Sequence, residues 1–292
     1  MSTQQIVKHY GPRIKINYWY ENFCERQAQM KDLRAKASKG KLVAKLTRDL
    51  LSTFEGNIQI GQMPAEISYG GMVQLQPYLS PNYGCDIDIQ SALSVTVSEE
   101  ALKFDPSHID CDVTLAPCFV SNYRNTFRIY PVDKSIKLGQ PLRYGQAFRL
   151  VSMGFNHSRL VYASPKKLNL ESQVPSRYSV FKSGEKNLSV GLSTQETFKT
   201  VNGCLLAYSN WICNALTPDE QYSLDGQVVM ATSPILIKHF ITKKHLASSN
   251  ILVQTVFGME YVVSAQNYFD HYKRPLKQNI WRFLNGYNFL IT

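Results

Sequence analysis

The chain has 292 residues, enough for one large domain or two smaller ones and for a core that needs neither disulfides nor metal. Hydrophobic residues make up 44% and charged residues 18%, a balance that excludes a disordered chain. Lys and Arg number 32 against 22 Asp and Glu, a net charge of +10 that points to an acidic partner.

The first 57 residues carry more than half of that excess. They hold 11 Lys/Arg and 5 Asp/Glu, against 21 and 17 in the remainder. No apolar h-region opens the N-terminus, MSTQQIVKHYGP, so no secretory signal is expected. Asn22, with Glu25 three residues on, suits the start of a helix. Phe23, Met30, Leu33 and Ala37 then form one helical stripe, and Gly40 is a break. A second stripe runs through Val43, Leu46, Leu50 and Phe54 to Gly56-Asn57. Residues 26–48 hold eight basic residues and one acid, Asp32, which reads either as a solvated face or as a docking arm.

From residue 58 the texture is β. Alternating or β-branched runs at 67–75, 125–130, 145–151, 227–241 and 251–257 are punctuated by Pro and Gly, as at Pro77, Pro81, Gly139-Gln-Pro141 and Pro165. Short strands at such intervals indicate an all-β barrel or sandwich. A threefold repeat is also visible. Asn125-Thr-Phe-Arg-Ile-Tyr130, Asn202-Gly-Cys-Leu-Leu-Ala207 and Asn279-Ile-Trp-Arg-Phe-Leu284 stand 77 residues apart. Gly71–Leu75, Gln146–Leu150 and Ser233–Ile237 form a second landmark, in the same order. Three four-strand units closed into a barrel make a β-trefoil, which removes sheet edges. The segment Ile237-Lys-His239-Phe-Ile-Thr242-Lys-Lys-His-Leu246-Ala-Ser248 resembles the repeat of MIR-type trefoils. The expected layout is a basic arm with two short helices over 1–57, a MIR-like β-trefoil over 58–286, and a short tail over 287–292.

Chemistry-bearing motifs are absent. No GxGxxG, Walker loop, GxSxG or HExxH occurs, so no enzyme and no cofactor are expected. His239 and His245 lie six apart, not a spacing that puts two ligands on one helix face, Asp86-Ile-Asp88 lacks a third ligand, and nothing orients His108 beside Cys111. No metal site is expected. The six cysteines, Cys24, Cys85, Cys111, Cys118, Cys204 and Cys213, form no CxxC pair and read as free thiols. No RNP, KH or zinc-finger pattern accompanies the basic charge, and no apolar run approaches the roughly 18–20 residues that span a bilayer. Neither nucleic acid nor a membrane is an expected partner. None of Trp19, Trp211 and Trp281 has Gln two places before it, so the ricin-type sugar signature is missing.

Tyr10-Gly-Pro-Arg13-Ile-Lys-Ile16 with Trp19 and Glu21, Met30-Lys-Asp32-Leu and Lys39-Gly-Lys-Leu42 open a longer series of short motifs. Arg124-Asn-Thr-Phe127, Leu142-Arg-Tyr-Gly-Gln-Ala-Phe148, Ile235-Leu-Ile-Lys-His239, Phe257-Gly-Met-Glu260 and Tyr268-Phe-Asp-His271 continue it. In order and spacing the chain, from about residue 10 to 286, resembles the cilia- and flagella-associated protein 161 family; residues 155–200 match little. The resemblance implies a structural protein without enzymatic activity, located in the cytoplasm within the cytoskeleton of the ciliary axoneme. Its implied place is the A-tubule lumen of doublet microtubules. Its implied partners are the α/β-tubulin lattice and neighbouring microtubule inner proteins.

Tubulin is acidic, so a basic protein is drawn to it, but exposed ion pairs contribute only about 0.2–1 kcal/mol each. Register on a lattice needs buried anchors. The candidate contacts are Tyr10, Arg13, Trp19 and Phe23, beside Lys31, Arg34, Lys36, Lys39, Lys41, Lys45 and Arg48. Trp19 and Phe23 could equally pack the arm onto the barrel. The alternative function is a MIR-like β-trefoil module for a small ligand or glycan.

Overall fold

A computed structural model describes residues 15–40, 42–58, 60, 65–78, 91–97, 111–117, 120–154, 158–164, 188–194 and 204–284. The chain divides into two compact units, Met1–Leu50 and Leu51–Thr292.

The described residues of the first unit are mostly helical. Helix α1 spans Lys15–Ser38 and α2 starts at Val43, ending at Glu55 inside the second unit. Asn22 is not a cap, because α1 begins seven residues before it. An interior Asn costs at most about 0.7 kcal/mol relative to Ala, less than the run of good helix formers from Glu25 to Met30 supplies. Gly40 adopts φ +66° and its N–H donates to Ala37 O at 3.0 Å, a left-handed stop that suits glycine.

The described residues of the second unit are mostly β and form twelve strands. They are β1 (Met72–Pro77), β2 (Ser91–Thr96), β3 (Cys111–Pro117), β4 (Phe127–Pro131), β5 (Ala147–Ser152) and β6 (Arg159–Ser164). Then follow β7 (Leu188–Thr194), β8 (Trp211–Asn214), β9 (Ile235–His239), β10 (Leu246–Thr255), β11 (Gly258–Ala265) and β12 (Ile280–Leu284). Six of them close a ring by antiparallel pairing: β1 with β4, β4 with β5, β5 with β8, β8 with β9, β9 with β12, and β12 back to β1. The other six form the hairpins β2–β3, β6–β7 and β10–β11. These hairpins meet cyclically, β3 with β7, β7 with β11 and β11 with β3. A six-stranded barrel capped by three mutually paired hairpins is a β-trefoil. The pairings alone establish it.

The barrel core follows from strand alternation. Val73 and Leu75, Phe127 and Ile129, Phe148 and Leu150, Trp211 and Cys213, Ile235 and Ile237, and Trp281 and Phe283 are all buried, two from each barrel strand. The second landmark of the repeat therefore marks β1, β5 and β9, the first strand of each copy.

The first landmark needs a correction in its middle copy. Phe127 and Trp281 occupy the first inward position of β4 and β12, and in β8 that position is Trp211. The middle copy is Ser209-Asn210-Trp211-Ile212-Cys213, and Asn202 lies outside the described residues. The spacing of 154 from Phe127 to Trp281 divides as 84 and 70, not as two equal steps, because the connections differ in length. Trp211 and Trp281 play matching parts: their indole N–H groups donate to Val161 O at 3.0 Å and Leu246 O at 2.9 Å, on the hairpin strand of their own repeat.

Asn125 and Asn279 precede these aromatics and tie down loops. Asn125 Oδ1 accepts from Gln74 Nε2 at 2.6 Å and from Asn122 N at 3.0 Å. Asn279 Oδ1 accepts from Tyr268 N at 2.7 Å while its Nδ2 donates to Gln266 O at 2.7 Å. A short helix, α3 (Pro218–Leu224), crosses between β8 and β9, with Thr217 and Glu220 forming a capping box.

The end of α2 is built into the trefoil unit. Phe54 is fully buried, with its ring 6.1 Å from that of Phe257 in an edge-on arrangement. Its carbonyl accepts from Arg124 N at 3.2 Å, Tyr123 N donates to Gly56 O at 3.1 Å, and Asn57 bridges to Asn122. The structural division thus precedes the change in sequence texture at residue 58.

Candidate docking surfaces

Helix α1 has 24 residues, and every described side chain from Tyr18 to Lys39 is exposed. At about 100° per residue, Trp19, Phe23, Met30, Leu33 and Ala37 fall within roughly 80° of arc. Arg26 lies inside that stripe and Arg34 beside one border, whereas Lys31 is turned about 120° from its centre. Glu21, Glu25 and Asp32 fall on the opposite face. Charge and apolarity are therefore combined on one side. Trp19 remains 69% exposed and Phe23 45%, and their rings stack 5.9 Å apart at 14°. Neither ring is buried within the chain.

The other candidates have different positions. Lys36 Nζ lies 2.7 Å from Asp32 Oδ2, a pair one helical turn apart and outside the stripe. Lys39 is exposed in the turn after α1, and Lys45 and Arg48 are exposed on α2. Tyr10, Arg13 and Lys41 lie outside the described residues.

His239 and His245 of the third repeat are structural. Tyr208 O accepts from His239 Nε2 at 2.9 Å, so Nδ1 is the acceptor facing the Thr242 hydroxyl at 2.8 Å and the Thr242 N–H at 3.4 Å. Burial first, and the charge of Lys243 to a smaller extent, push the His239 pKa below its ordinary value, against an opposing contribution from Tyr208 O. His245 meets Asn267 Oδ1 through Nδ1 at 2.7 Å, and burial lowers its pKa as well. In the MIR-like segment, then, a His at the end of β9 is followed by a turn whose Thr242 meets its ring.

Among the described residues, no group of three or more His, Cys, Asp or Glu side chains could hold a metal ion. Cys24 and Cys213 are free thiols, Cys111 Sγ accepts from Arg159 Nη1 at 3.3 Å, and burial pushes the Cys213 thiol up. Asp86, Asp88 and His108 lie outside the described residues. No described helix is long and apolar enough to cross a membrane.

A family model described as the cilia- and flagella-associated protein 161-like domain matches residues 46–286. The chain belongs to that family. This member is 29% identical to cilia- and flagella-associated protein 161 of Bos taurus over 282 residues, covering 95% of this chain and 82% of the relative. It is 24% identical to the Danio rerio protein of that name over 290 residues, covering 95% and 88%. Among solved structures it is similar to the SDF2-like protein from Arabidopsis thaliana, with 16% identity and a TM-score of 0.49 over 75% of this chain and 94% of that one. This member is accordingly a cilia- and flagella-associated protein.

The family match reaches a surface that the motif reading passed over. Phe240, Ile241, Phe269 and Tyr272 are exposed in the third repeat. Tyr268-Phe-Asp-His271 stood out as a family motif, but its contact with the turn after β9 joins segments far apart in sequence.

Proposed function

We propose that this protein is a non-catalytic structural component of ciliary doublet microtubules. It lies in the A-tubule lumen and binds the α/β-tubulin lattice beside neighbouring microtubule inner proteins. Family membership supports the ciliary part of this reading. The observation that supports docking is the face of α1, where an exposed Trp19–Phe23 stack runs on through Met30 and Leu33 beside Arg26 and Arg34.

The division of labour is physical. Cations draw the helix to an acidic surface and are screened over roughly 8 Å at physiological salt. Aromatic anchors, once buried in the partner, set position. Repetition along a polymer adds avidity, so no single site need be tight.

The test uses the full chain with Trp19→Ala, Phe23→Ala, Lys31→Glu and Arg34→Glu together, expressed in ciliated cells that lack the normal protein. The expected result is a folded protein missing from isolated doublets, with its luminal density lost in cryo-electron microscopy. Normal occupancy would overturn the docking role of α1. Density outside the lumen would overturn the location.

A further inference from the structure

Two loops of the third repeat are fastened together at one end of the trefoil. One is the turn 240–245 between β9 and β10. The other is the segment 266–279 between β11 and β12. Asn267 Oδ1 accepts from His245 N at 2.9 Å, and Gln266 N donates to His245 O at 2.8 Å. The His245 ring meets Phe269 edge-on, 5.8 Å away.

The second loop is internally braced. Asp270 Oδ1 accepts from Tyr272 N at 2.9 Å and from Arg274 N at 2.7 Å, while Asp270 N donates to Arg274 O at 2.9 Å. Lys243 at φ 58° and Lys273 at φ 60° hold the left-handed conformation without being glycine. Such positions cost about 1–3 kcal/mol each and cluster where a fixed presentation is needed.

What they present is apolar and cationic. Phe240, Ile241 and Phe269 are about two-fifths exposed and Tyr272 is 76% exposed. Lys243 Nζ sits 4.8 Å above the Phe240 ring, and the Arg274 guanidinium lies 5.6 Å from the Tyr272 ring centre. Asp270 is the sole carboxylate in the two segments, and it is engaged by backbone N–H groups. Among the described residues, no acid pairs with Lys243, Lys273 or Arg274.

We propose that this two-loop surface docks an acidic, extended polypeptide segment of a partner protein. Its carboxylates meet Lys243, Lys273 and Arg274, and its aliphatic side chains cover Phe240, Ile241, Phe269 and Tyr272. Charge complementarity selects an acidic occupant. The rings favour a polypeptide over nucleic acid, because base stacking needs open aromatic faces and a cation already lies over one face of Phe240 and of Tyr272. The surface belongs to the trefoil alone and is independent of α1.

The probe is a fluorescently labelled peptide alternating Glu and Leu, titrated by anisotropy into the full chain with Lys31→Glu and Arg34→Glu in α1 to silence the arm. Saturable, salt-sensitive binding is expected. Lys243→Glu with Arg274→Glu should weaken it about tenfold, as should Tyr272→Ala, a substitution at a side chain too exposed to affect folding. Lys134→Glu with Lys137→Glu makes the same net-charge change on another exposed loop and should leave binding unchanged. Equal loss with both pairs, an absence of saturable binding, or tighter binding of oligothymidylate to this surface would each overturn the proposal. The arm variants test the lattice reading separately, since their effect on doublet occupancy requires no change in peptide binding.

Discussion

Arg124 of the first repeat and Glu260 of the third form an ion pair inside the protein, 136 residues apart in sequence. Glu260 is almost completely buried. Its second oxygen accepts from the Thr114 hydroxyl at 2.6 Å. Arg124 Nε donates to Val95 O at 2.6 Å, and its guanidinium lies 3.8 Å from the centre of the Phe257 ring. The Phe54 ring stands edge-on to the same Phe257. One charge-compensated cluster thus joins the β2–β3 hairpin, the β10–β11 hairpin and the end of α2.

Removing one partner leaves the other charge buried and uncompensated. Arg124→Ala should destabilise the protein by about 3–5 kcal/mol in urea denaturation. Arg124→Met with Glu260→Gln should recover much of the loss, because no naked charge remains. A single substitution costing under about 1 kcal/mol would contradict this account.

Phe54 occupies space that exists because residue 154 has no side chain. A Cβ built on Gly154 would lie 2.5 Å from Phe54 Cε1 and 3.1 Å from Tyr123 O. Gly154→Ala should therefore cost about 1–3 kcal/mol by overpacking, and Phe54→Ala about 3–5 kcal/mol by leaving a cavity. Combining them should cost less than the sum, since the small side chain removes the clash. Strict additivity in thermal or urea melts would refute the shared-space explanation.

His239 and His245 make stability depend on mild acid. Both have folded pKa values below the ordinary 6.5, so the unfolded chain takes up protons more readily. Their contribution is complete above about pH 6.5 and is lost as pH falls from there through the lowered folded values. Protonating His239 would also aim a new N–H at the Thr242 N–H. The denaturation midpoint should drop between pH 7 and 5, and His239→Gln should flatten that slope. An identical slope in the variant would rule out His239 as a source.

Trp19 and Phe23 should affect docking without affecting folding. Their rings are exposed, so Trp19→Ala should change the melting free energy by no more than about 0.5 kcal/mol. Salt extraction of the variant from axonemes should nevertheless require less salt than extraction of the unaltered protein. A large loss of stability would mean that these rings act within the chain instead.

Much of the trefoil was legible because its signals are local. The β1, β5 and β9 segments alternate, and a large aromatic opens the inward face of β4 and β12 two places after Asn. The middle copy was misplaced because Ser209 replaces that Asn and the connecting loops differ in length. A fixed step cannot follow unequal loops; the inward aromatic can. Asn22 was misread for a related reason, since a cap preference is small beside the summed propensity of a long helix. Of the docking candidates, the α1 stripe could be read from spacing. That its apolar side also carries Arg26 and Arg34, with the acids opposite, needed only the helix period once its extent was known.

The sequence by itself determined the β-rich body, the basic N-terminal segment and the family, because composition, alternation and ordered short motifs survive without coordinates. Tertiary structure decided which of those motifs touch. Arg124 and Glu260 meet only because the hairpins of separate repeats close around one axis, and Phe269 packs against His245 only because Asn267 fastens two loops together. Chain order carries no record of such contacts, since barrel closure brings residues together by strand pairing, irrespective of the number of residues between them.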